Sequence, residues 1–367
     1  MKKSLIALAV LAAAGAASAQ SSVTLFGIVD ATLAYGKTSG GNHVTRLTNS
    51  GYNSSRIGFR GTEDLGGGMS ASFWLEGTVG NDDGTTGQRI PTGNQTAVHA
   101  AADGSGLVFN RRSTVSLAGG WGEVRLGRDY VPSFWNLTVF DPFGTNGVGT
   151  TLTLLGASTA GMANVGTRGV LVRASNSIGY FLPGNLGGFY GQAMYYLGEN
   201  VSGTATSDDG KGMGARVGYA NGPFNVAIGL GRTKYATTAT TGDFKAVNVG
   251  GQWDFGMAKL MGQYTRDKRE STVALDGRGW LIGTLVPVGA GEIRASYSTY
   301  KVDAGLTEPR ANQLALGYVH NLSKRTAVYA TFARLKNKNG AAMALNGATG
   351  IVNASSTGYD FGVRHSF

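Results

Sequence analysis

Arginine residues recur at regular spacings in the first half of the chain, and their type limits the chemistry they can do. Arg56 and Arg60 are four residues apart, Arg111 and Arg112 are adjacent, and Arg125 follows. A guanidinium group stays charged at any relevant pH and is only weakly hydrated. Such groups along one surface attract anions and repel cations. The pattern therefore favours a fixed positive surface over an acid–base site.

The rest of the sequence has no competing catalytic, metal-binding or nucleic-acid-binding pattern. It has no G-x-S-x-G or H-x-x-x-H sequence and no Cys, and its four His residues are widely separated. His320 and His365 are better explained as aromatic residues at a membrane interface. The densest charged run, residues 266–270, mixes signs and indicates a solvated loop. We therefore expect no enzyme activity, cofactor, metal or nucleic-acid partner.

The first residues predict export from the cytoplasm. Lys2 and Lys3 are followed by an apolar run over residues 5–17 and by Ala-Ser-Ala before Gln20, which is typical of a cleaved secretory signal. We predict a signal peptide at 1–19 and a mature chain at 20–367. Removing two of the 32 basic residues leaves 30 against 22 acidic ones, a net charge of +8. No later stretch offers about 18 consecutive uncharged apolar residues, so membrane residence must come from strands.

The last nine residues alternate strictly between two kinds of side chain. Odd positions from Tyr359 to Phe367 are bulky, and even positions are small or polar. Residues 23–29 and 247–255 show the same period of two, with Val, Leu, Trp and Phe on one face. A strand with one apolar and one polar face suits a transmembrane barrel. The mean hydropathy of −0.06 fits, because the two faces cancel in an average.

The connections between these segments alternate between short and long. Seven short turns lie at 65–68, 119–120, 183–187, 221–223, 255–257, 287–289 and 322–324. Eight longer polar stretches lie at 36–54, 79–109, 131–172, 199–211, 236–243, 267–277, 302–310 and 337–356. Together they join sixteen strands in one all-β domain. We predict a sixteen-stranded antiparallel transmembrane β-barrel that is closed, because an open edge in lipid leaves backbone groups unbonded. Both termini should be periplasmic.

Several strings in order along the chain resemble the trimeric general porins of Gram-negative bacteria, especially the betaproteobacterial branch. They are SVTLFG at 22–27, SRIGFRGTEDLG at 55–66, RRSTV at 111–115, EVRLGR at 123–128, NSIGY at 176–180 and GYVHNLSKRT at 317–326. The resemblance implies an outer-membrane homotrimer in contact with lipid and lipopolysaccharide. It also implies passive diffusion of small hydrophilic solutes and ions, with a long third loop folded into the lumen. The candidate for this loop is 131–172.

Strand alternation assigns the arginines to faces. Arg56, Arg60, Arg112 and Arg125 should point into the lumen, because their neighbours at alternate positions are apolar. Arg173 should face water beside the base of the long loop.

Arg111 is ambiguous, since strict alternation sends it outward although a position at the strand end could turn it inward. The resemblance favours Arg56, Arg111 and Arg173 as the constricting set. Asp141 is the only acid in the candidate loop, so we expect it alone to oppose them from the loop. A structural alternative is that the arginines merely pair with Glu63, Asp64, Glu123 or Asp129.

Two functions remain, with a third much weaker. The first is an outer-membrane diffusion channel with anion preference. The second is a channel selective for one solute class, with a saturable site at which Phe134, Trp135, Phe140 and Phe143 form an apolar slide. The third is an adhesin or structural barrel whose loops carry the function.

Overall fold

The computed structural model describes residues 22–86, 106–155 and 172–367, and the predicted signal segment 1–19 lies outside them. Seventeen strands run along the described chain. They are β1 Ser22–Thr38, β2 His43–Asn49, β3 Arg56–Gly66, β4 Met69–Thr78, β5 Arg112–Gly119, β6 Gly122–Tyr130, β7 Arg173–Phe181, β8 Phe189–Tyr196, β9 Gly212–Asn221, β10 Phe224–Thr233, β11 Asp243–Asp254, β12 Lys259–Glu270, β13 Leu275–Val288, β14 Gly291–Asp303, β15 Arg310–Asn321, β16 Thr326–Lys338 and β17 Ser355–Ser366. A short helix, α1 (Phe134–Val139), and a 3-10 turn at Thr151–Thr153 lie between β6 and β7. No helix in these described ranges is long and apolar enough to cross a bilayer.

The strands form one closed antiparallel sheet. From β3 onward each strand pairs with the next, and β17 pairs with β1 to close the barrel. β2 and β3 together occupy a single position, because β2 pairs with residues 31–37 of β1 and β3 pairs with residues 22–28. The barrel therefore has sixteen strand positions, as predicted. Both ends of the described chain lie at the end of the barrel that carries the short turns.

The alternation of side chains explains how the barrel sits in a membrane. Leu25, Val249 and Phe361 are exposed on the outer surface, whereas Asp30, Asn248 and Asp360 on the same strands are buried on the inner one. The outer set is apolar because it must contact lipid, and the inner set can be polar because it faces the barrel interior. The faces predicted for β1, β11 and β17 are confirmed.

Three predicted long loops are shorter than expected. Within 36–54 the structure forms β2, which leaves only residues 39–42 as the turn. The connection predicted at 267–277 is reduced to 271–274, and that at 302–310 to 304–309. The reason is that these strands extend beyond their apolar parts. Backbone pairing needs no apolar side chain, so the polar ends of strands resembled loops in the sequence.

The chain leaves the sheet between β2 and β3, and this break sets the position of Arg56. The Asp30 carboxylate accepts hydrogen bonds from the backbone N–H groups of Tyr52 (2.8 Å) and Asn53 (2.6 Å). Its backbone oxygen accepts from the N–H of Ser50 at 3.1 Å. Residues 50–55 are therefore fixed against the inner face of β1, and β3 begins directly after them.

The described part of the segment after β6 packs against inward-facing residues of several strands. Asn136 in α1 donates to Asn248 Oδ1 of β11 at 2.9 Å. The backbone N–H of Val148 donates to Asp360 of β17 at 2.7 Å, and Gln313 of β15 donates to the Val148 carbonyl at 3.3 Å. Leu345, in the connection between β16 and β17, belongs to the same buried apolar cluster as Val148. These contacts join residues 131–155 to inward-facing side chains of β11, β15 and β17.

Candidate functional site: the arginine wall

The inner faces of β3 to β7 form a continuous surface that we call the arginine wall. Its members are Arg56, Arg60, Arg111, Arg112, Arg125, Arg128 and Arg173, with the carboxylates Glu76, Glu123 and Asp129. Strand register brings them together: Glu76 is opposite Gly58 on one side and Arg112 on the other, and Arg125 is opposite Ser116. Residues distant in sequence thus become neighbours on one surface.

Glu76 of β4 is the carboxylate around which Arg56 and Arg111 are grouped. Arg111 Nε lies 2.5 Å from its Oε1, and Arg56 Nη1 lies 3.9 Å from the same oxygen. The other carboxylate oxygen accepts a hydrogen bond from Trp74 Nε1 at 3.2 Å. The side chain of Arg56 is 27% exposed, compared with 10% for Arg111. One carboxylate therefore fixes a buried arginine and a more accessible one.

Tyr130 connects two further arginines. Its hydroxyl accepts hydrogen bonds from Arg111 Nη2 (3.1 Å) and Arg173 Nη2 (2.7 Å). The Arg173 guanidinium carbon lies 4.3 Å from the centre of the Tyr130 ring, a cation–π distance. Arg173 Nε is buried and has no hydrogen-bond partner among the described residues. As far as the structure describes the chain, this side chain therefore keeps one donor unbonded.

Asp129 and Glu123, both on β6, are the carboxylates that contact Arg112 and Arg125. Arg125 lies 2.5 Å from Asp129 and 3.0 Å from Glu123, and Arg112 lies 3.7 Å from Asp129. The guanidinium carbons of Arg112 and Arg60 lie 4.6 and 5.1 Å from the centre of the Trp74 ring. The Arg60 side chain is exposed. Aromatic stacking can hold an arginine without cancelling its charge.

A β-bulge whose extra residue lies in β7 is opposite Arg128 of β6. The register between β6 and β7 shifts by one residue between Gly127 and Asp129. Gly127 has a φ of +123°, and a Cβ there would collide with the carbonyl oxygen of Ser113, so the position requires glycine. Beside this bulge, Arg128 donates to the Asn110 carbonyl at 2.6 Å and to Ser175 Oγ at 2.8 Å. Such bulges redirect single side chains.

The wall carries an excess of positive charge. Arg56, Arg111, Arg112 and Arg125 each have a carboxylate within 4 Å. Within the described ranges no carboxylate lies that close to the other three, which are Arg60, Arg128 and Arg173. Seven guanidinium groups therefore share three carboxylates. The arrangement attracts anions and contains no nucleophile beside a general base.

Comparison with known proteins places the chain in a family. A family model described as Gram-negative porin matches residues 5–340. The chain belongs to the Gram-negative porin family. It is 43% identical to outer membrane porin protein 32 of Delftia acidovorans over the full length of both chains, and 30% identical to an outer membrane porin of Bordetella pertussis, again over both full lengths. These matches confirm an outer-membrane channel and not an enzyme.

Solved structures agree with the fold of this porin. It matches an anion-selective porin from Comamonas acidovorans with a TM-score of 0.79 and 39% identity, covering 95% of this chain and all of the other. OmpT of Vibrio cholerae in a trimer form matches with a TM-score of 0.64 at 16% identity, covering 95% and 99% of the two chains, which shows the fold alone.

The structure does not give Asp141 the exposed position that the sequence led us to expect. Its side chain is buried, and its two oxygens accept the backbone N–H groups of Phe143 (2.8 Å) and Thr151 (2.9 Å). Burial raises the pKa of Asp141 to about 7. A carboxyl group that bonds its own segment in this way stabilises the turn and is buried away from a passing ion.

The aromatic residues expected to form an apolar slide are mostly buried too. Phe134, Phe140 and Phe143 are at most 5% exposed. The Phe140 ring occupies the space that a Cβ on Gly250 would fill, so it packs directly on β11. These three side chains attach the described part of the segment to the barrel and are too buried to contact a passing solute, whereas Trp135 is half-buried. The alternative function as a channel selective for one solute class loses its main feature.

A second group of arginines was missed in the sequence. Arg294 of β14 donates to the Tyr52 hydroxyl at 3.0 Å, and its guanidinium carbon lies 4.4 Å from the centre of the Tyr52 ring. The guanidinium carbon of Arg364 of β17 lies 5.3 Å from the same ring. Alternation does place Arg364 on the polar face of the last strand. The break after β2 brings Tyr52 between these strands, and no pattern in the sequence predicts that break.

Proposed function

We propose that this porin is an anion-preferring diffusion channel for small hydrophilic solutes and ions, in which the arginine wall selects for charge. The observation that carries the proposal is the excess of seven guanidinium groups over three carboxylates on one inner surface. The relative from Comamonas acidovorans described as anion-selective supports the same direction. Cleavage after residue 19 stays a prediction.

The segment 131–172 is proposed to narrow the lumen in front of the wall. Its described part, 131–155, bonds inward-facing Asn248, Gln313 and Asp360 on three strands. Tyr130, directly before it, contacts both Arg111 and Arg173. A segment anchored at these points brings a passing ion close to the arginines, where screening by water is weakest.

The charges are strong enough to set a preference. Two unit charges 4 Å apart interact by about 4 kcal/mol at an effective dielectric of 20, and by about 1 kcal/mol in bulk water. A tenfold permeability ratio needs only about 1.4 kcal/mol. Even a strongly screened net charge on the wall therefore favours anions several-fold.

The proposal includes a homotrimer in the outer membrane, in contact with lipid and lipopolysaccharide. The trimer form of OmpT from Vibrio cholerae, which shares the fold, is consistent with this assembly. The outward residues of β1 and the neighbouring β17 are the proposed subunit contact, since Val23, Leu25 and Phe361 are all more than half exposed in the single chain.

A reversal potential measured across a planar bilayer under a potassium chloride gradient tests the proposed selectivity. The wild-type channel should show a potential of the sign expected for anions. The triple variant Arg56→Ala, Arg111→Ala, Arg173→Ala should move that potential toward zero. Arg278→Ala, which removes an exposed arginine from the outward face of β13, is the matched control and should leave it unchanged.

A cation-selective wild-type channel would refute the proposal. So would a triple variant that folds and conducts but keeps the wild-type potential at low salt, since the arginines would then be structural only.

A further inference from the structure

The connection between β16 and β17, residues 339–354, packs against the inner surface of the barrel. Three alternate side chains of this connection are at most 3% exposed, namely Ala341, Met343 and Leu345. They belong to the buried apolar cluster that also contains Val148 of the segment after β6. We call residues 341–346 the inner strap. Its buried side brings the last connection into contact with the segment that is proposed to narrow the lumen.

Two polar side chains fix the inner strap to the barrel wall. Asn337 of β16 bonds both backbone groups of Met343, since its Nδ2 donates to the carbonyl oxygen at 2.8 Å and its Oδ1 accepts from the N–H at 2.9 Å. The N–H of Leu345 donates to Ser356 Oγ of β17 at 3.0 Å. Asn337 and Ser356 are buried. The inner strap therefore has a defined position on β16 and β17.

Two glycines on neighbouring strands provide the surface on which the strap lies. Gly36 of β1 is directly opposite Gly358 of β17. A Cβ on Gly36 would collide with the carbonyl oxygen of Leu345. A Cβ on Gly358 would lie 2.5 Å from Val148 Cγ2 and 3.0 Å from Leu345 Cβ, which is too close for either. The strap and the segment after β6 thus meet above the same glycine.

Asp360 joins the two segments by hydrogen bonds. Its Oδ1 accepts from Asn346 Nδ2 of the strap at 2.7 Å, and its Oδ2 accepts from the backbone N–H of Val148 at 2.7 Å. The Asp360 side chain is buried, and hydrogen bonds to a carboxylate are stronger than those between neutral groups. One carboxylate of β17 therefore holds one residue of each segment.

Residues 146–148 are also held on their other side, by the segment after β2. Ser54 Oγ donates to Asn146 Oδ1 at 2.6 Å. Gly147 has a φ of +68°, and a Cβ there would collide with the carbonyl oxygen of Gly51. Residues 146–148 therefore lie between the segment after β2 and the inner strap. Loss of the strap would remove their support on one side only.

We propose that the inner strap is a positioning element for the channel, because it holds residues 146–148 in place and so sets the width of the lumen. Leu345 and Asn346 carry no charge, so they act through the position of the segment and not through the electrostatic field. The inference rests on the proposed function, in which residues 131–172 bring ions close to the arginine wall. An ion that passes farther from the wall than the Debye length, about 8 Å at physiological salt, is largely screened from it.

The variant Leu345→Ala, Asn346→Gly tests the strap without changing any charge. Asn346 has a φ of +50°, which glycine adopts without strain. Single-channel conductance should rise, and the chloride-to-potassium permeability ratio at low salt should fall at least about twofold, because ions pass farther from the arginines.

The variant Val352→Ala, Asn353→Gly is the matched control. It makes similar replacements in the same connection, where Val352 is 60% exposed and Asn353 has a φ of +61°. Conductance and permeability ratio should stay at the wild-type values.

Gly358→Ala tests the same contact from the strand. The added Cβ must displace Val148 or Leu345, so conductance and permeability ratio should change in the same direction as in the strap variant. Amide exchange at Val148, whose N–H is bonded to Asp360, should be faster in both variants and unchanged in the control. If the strap only closed the end of β16 and β17, the variants would lower the yield of folded barrel and leave folded channels unaltered.

Wild-type conductance, permeability ratio and Val148 exchange in the folded strap variant would overturn the inference. Equal changes in the control variant would also overturn it, because the effect would then belong to the whole connection. An anion-preferring wild type with an unaltered strap variant would reject the strap and leave the proposed selectivity standing. A cation-preferring wild type would refute the proposed selectivity, and higher conductance with faster Val148 exchange in the strap variant would still support the positioning role.

Discussion

Replacing Glu76 by Gln tests the arginine wall more sharply than removing an arginine does. Glu76 lies 2.5 Å from Arg111 and 3.9 Å from Arg56, so it neutralises part of the charge on both. Gln keeps the size of the side chain and an oxygen that can accept from Arg111 Nε. The change therefore raises the net charge of the wall by one unit with little loss of volume.

The expected effect is an increase in anion preference. Arg56 is partly exposed, so its interaction with Glu76 falls between the limits of water and of a protein surface, which are about 1 and 4 kcal/mol at 4 Å. Even the lower limit corresponds to about a fivefold change in relative permeability. The shift should become small near 1 M salt, where the Debye length falls to about 3 Å.

The assay is the reversal potential under a potassium chloride gradient, at low and at high salt. Glu270→Gln is the matched control, because Glu270 is an exposed carboxylate 2.5 Å from Lys245 at an outward strand end. It changes the total charge by the same amount outside the lumen. A Glu76→Gln channel with the wild-type potential, or one shifted toward cations, would refute the electrostatic reasoning.

Alternation predicted the barrel and part of the wall because it is a local property of the sequence. Every second side chain of a strand points to the same face, so Arg112 and Arg125 could be assigned inward from their apolar neighbours. Glu76 was missed although the same rule applies to it. Phe73 and Leu75 are apolar at alternate positions, and an assignment of β4 from them would have placed both Trp74 and Glu76 inward.

The remaining features depend on contacts that alternation does not describe. Strict alternation sent Arg111 outward and left it ambiguous because it lies at the strand end. It directly precedes β5, and its inward position is set by Glu76 and Tyr130. The bulge opposite Arg128 adds a residue to β7, and Arg128 donates to the Asn110 carbonyl beside it. The burial of Asp141 follows from a turn that closes on its own backbone. In each case tertiary contacts determine the direction of the side chain.

Two further predictions concern assembly and pH. The backbone of Phe367 exchanges two hydrogen bonds of 3.1 Å with Gly27 where β17 meets β1. Deleting Phe367 should therefore lower the yield of assembled oligomer on unheated gels, while the conductance of the folded fraction stays normal. A normal yield would show that this closing pair is dispensable. Burial raises the pKa of Asp141 to about 7 from 3.8, so the folded segment holds this proton more tightly than the unfolded segment does. The contribution of the bound proton to the stability of the segment is therefore fully present below about pH 4 and is lost as pH rises through 7. Amide-exchange protection at Phe143 and Thr151, corrected for the intrinsic rate, should therefore be higher at pH 5 than at pH 8 in wild type. Protection should be independent of pH in Asp141→Asn, which cannot titrate, and equal protection of the wild type at both pH values would mean that the buried carboxyl is already ionised at pH 5.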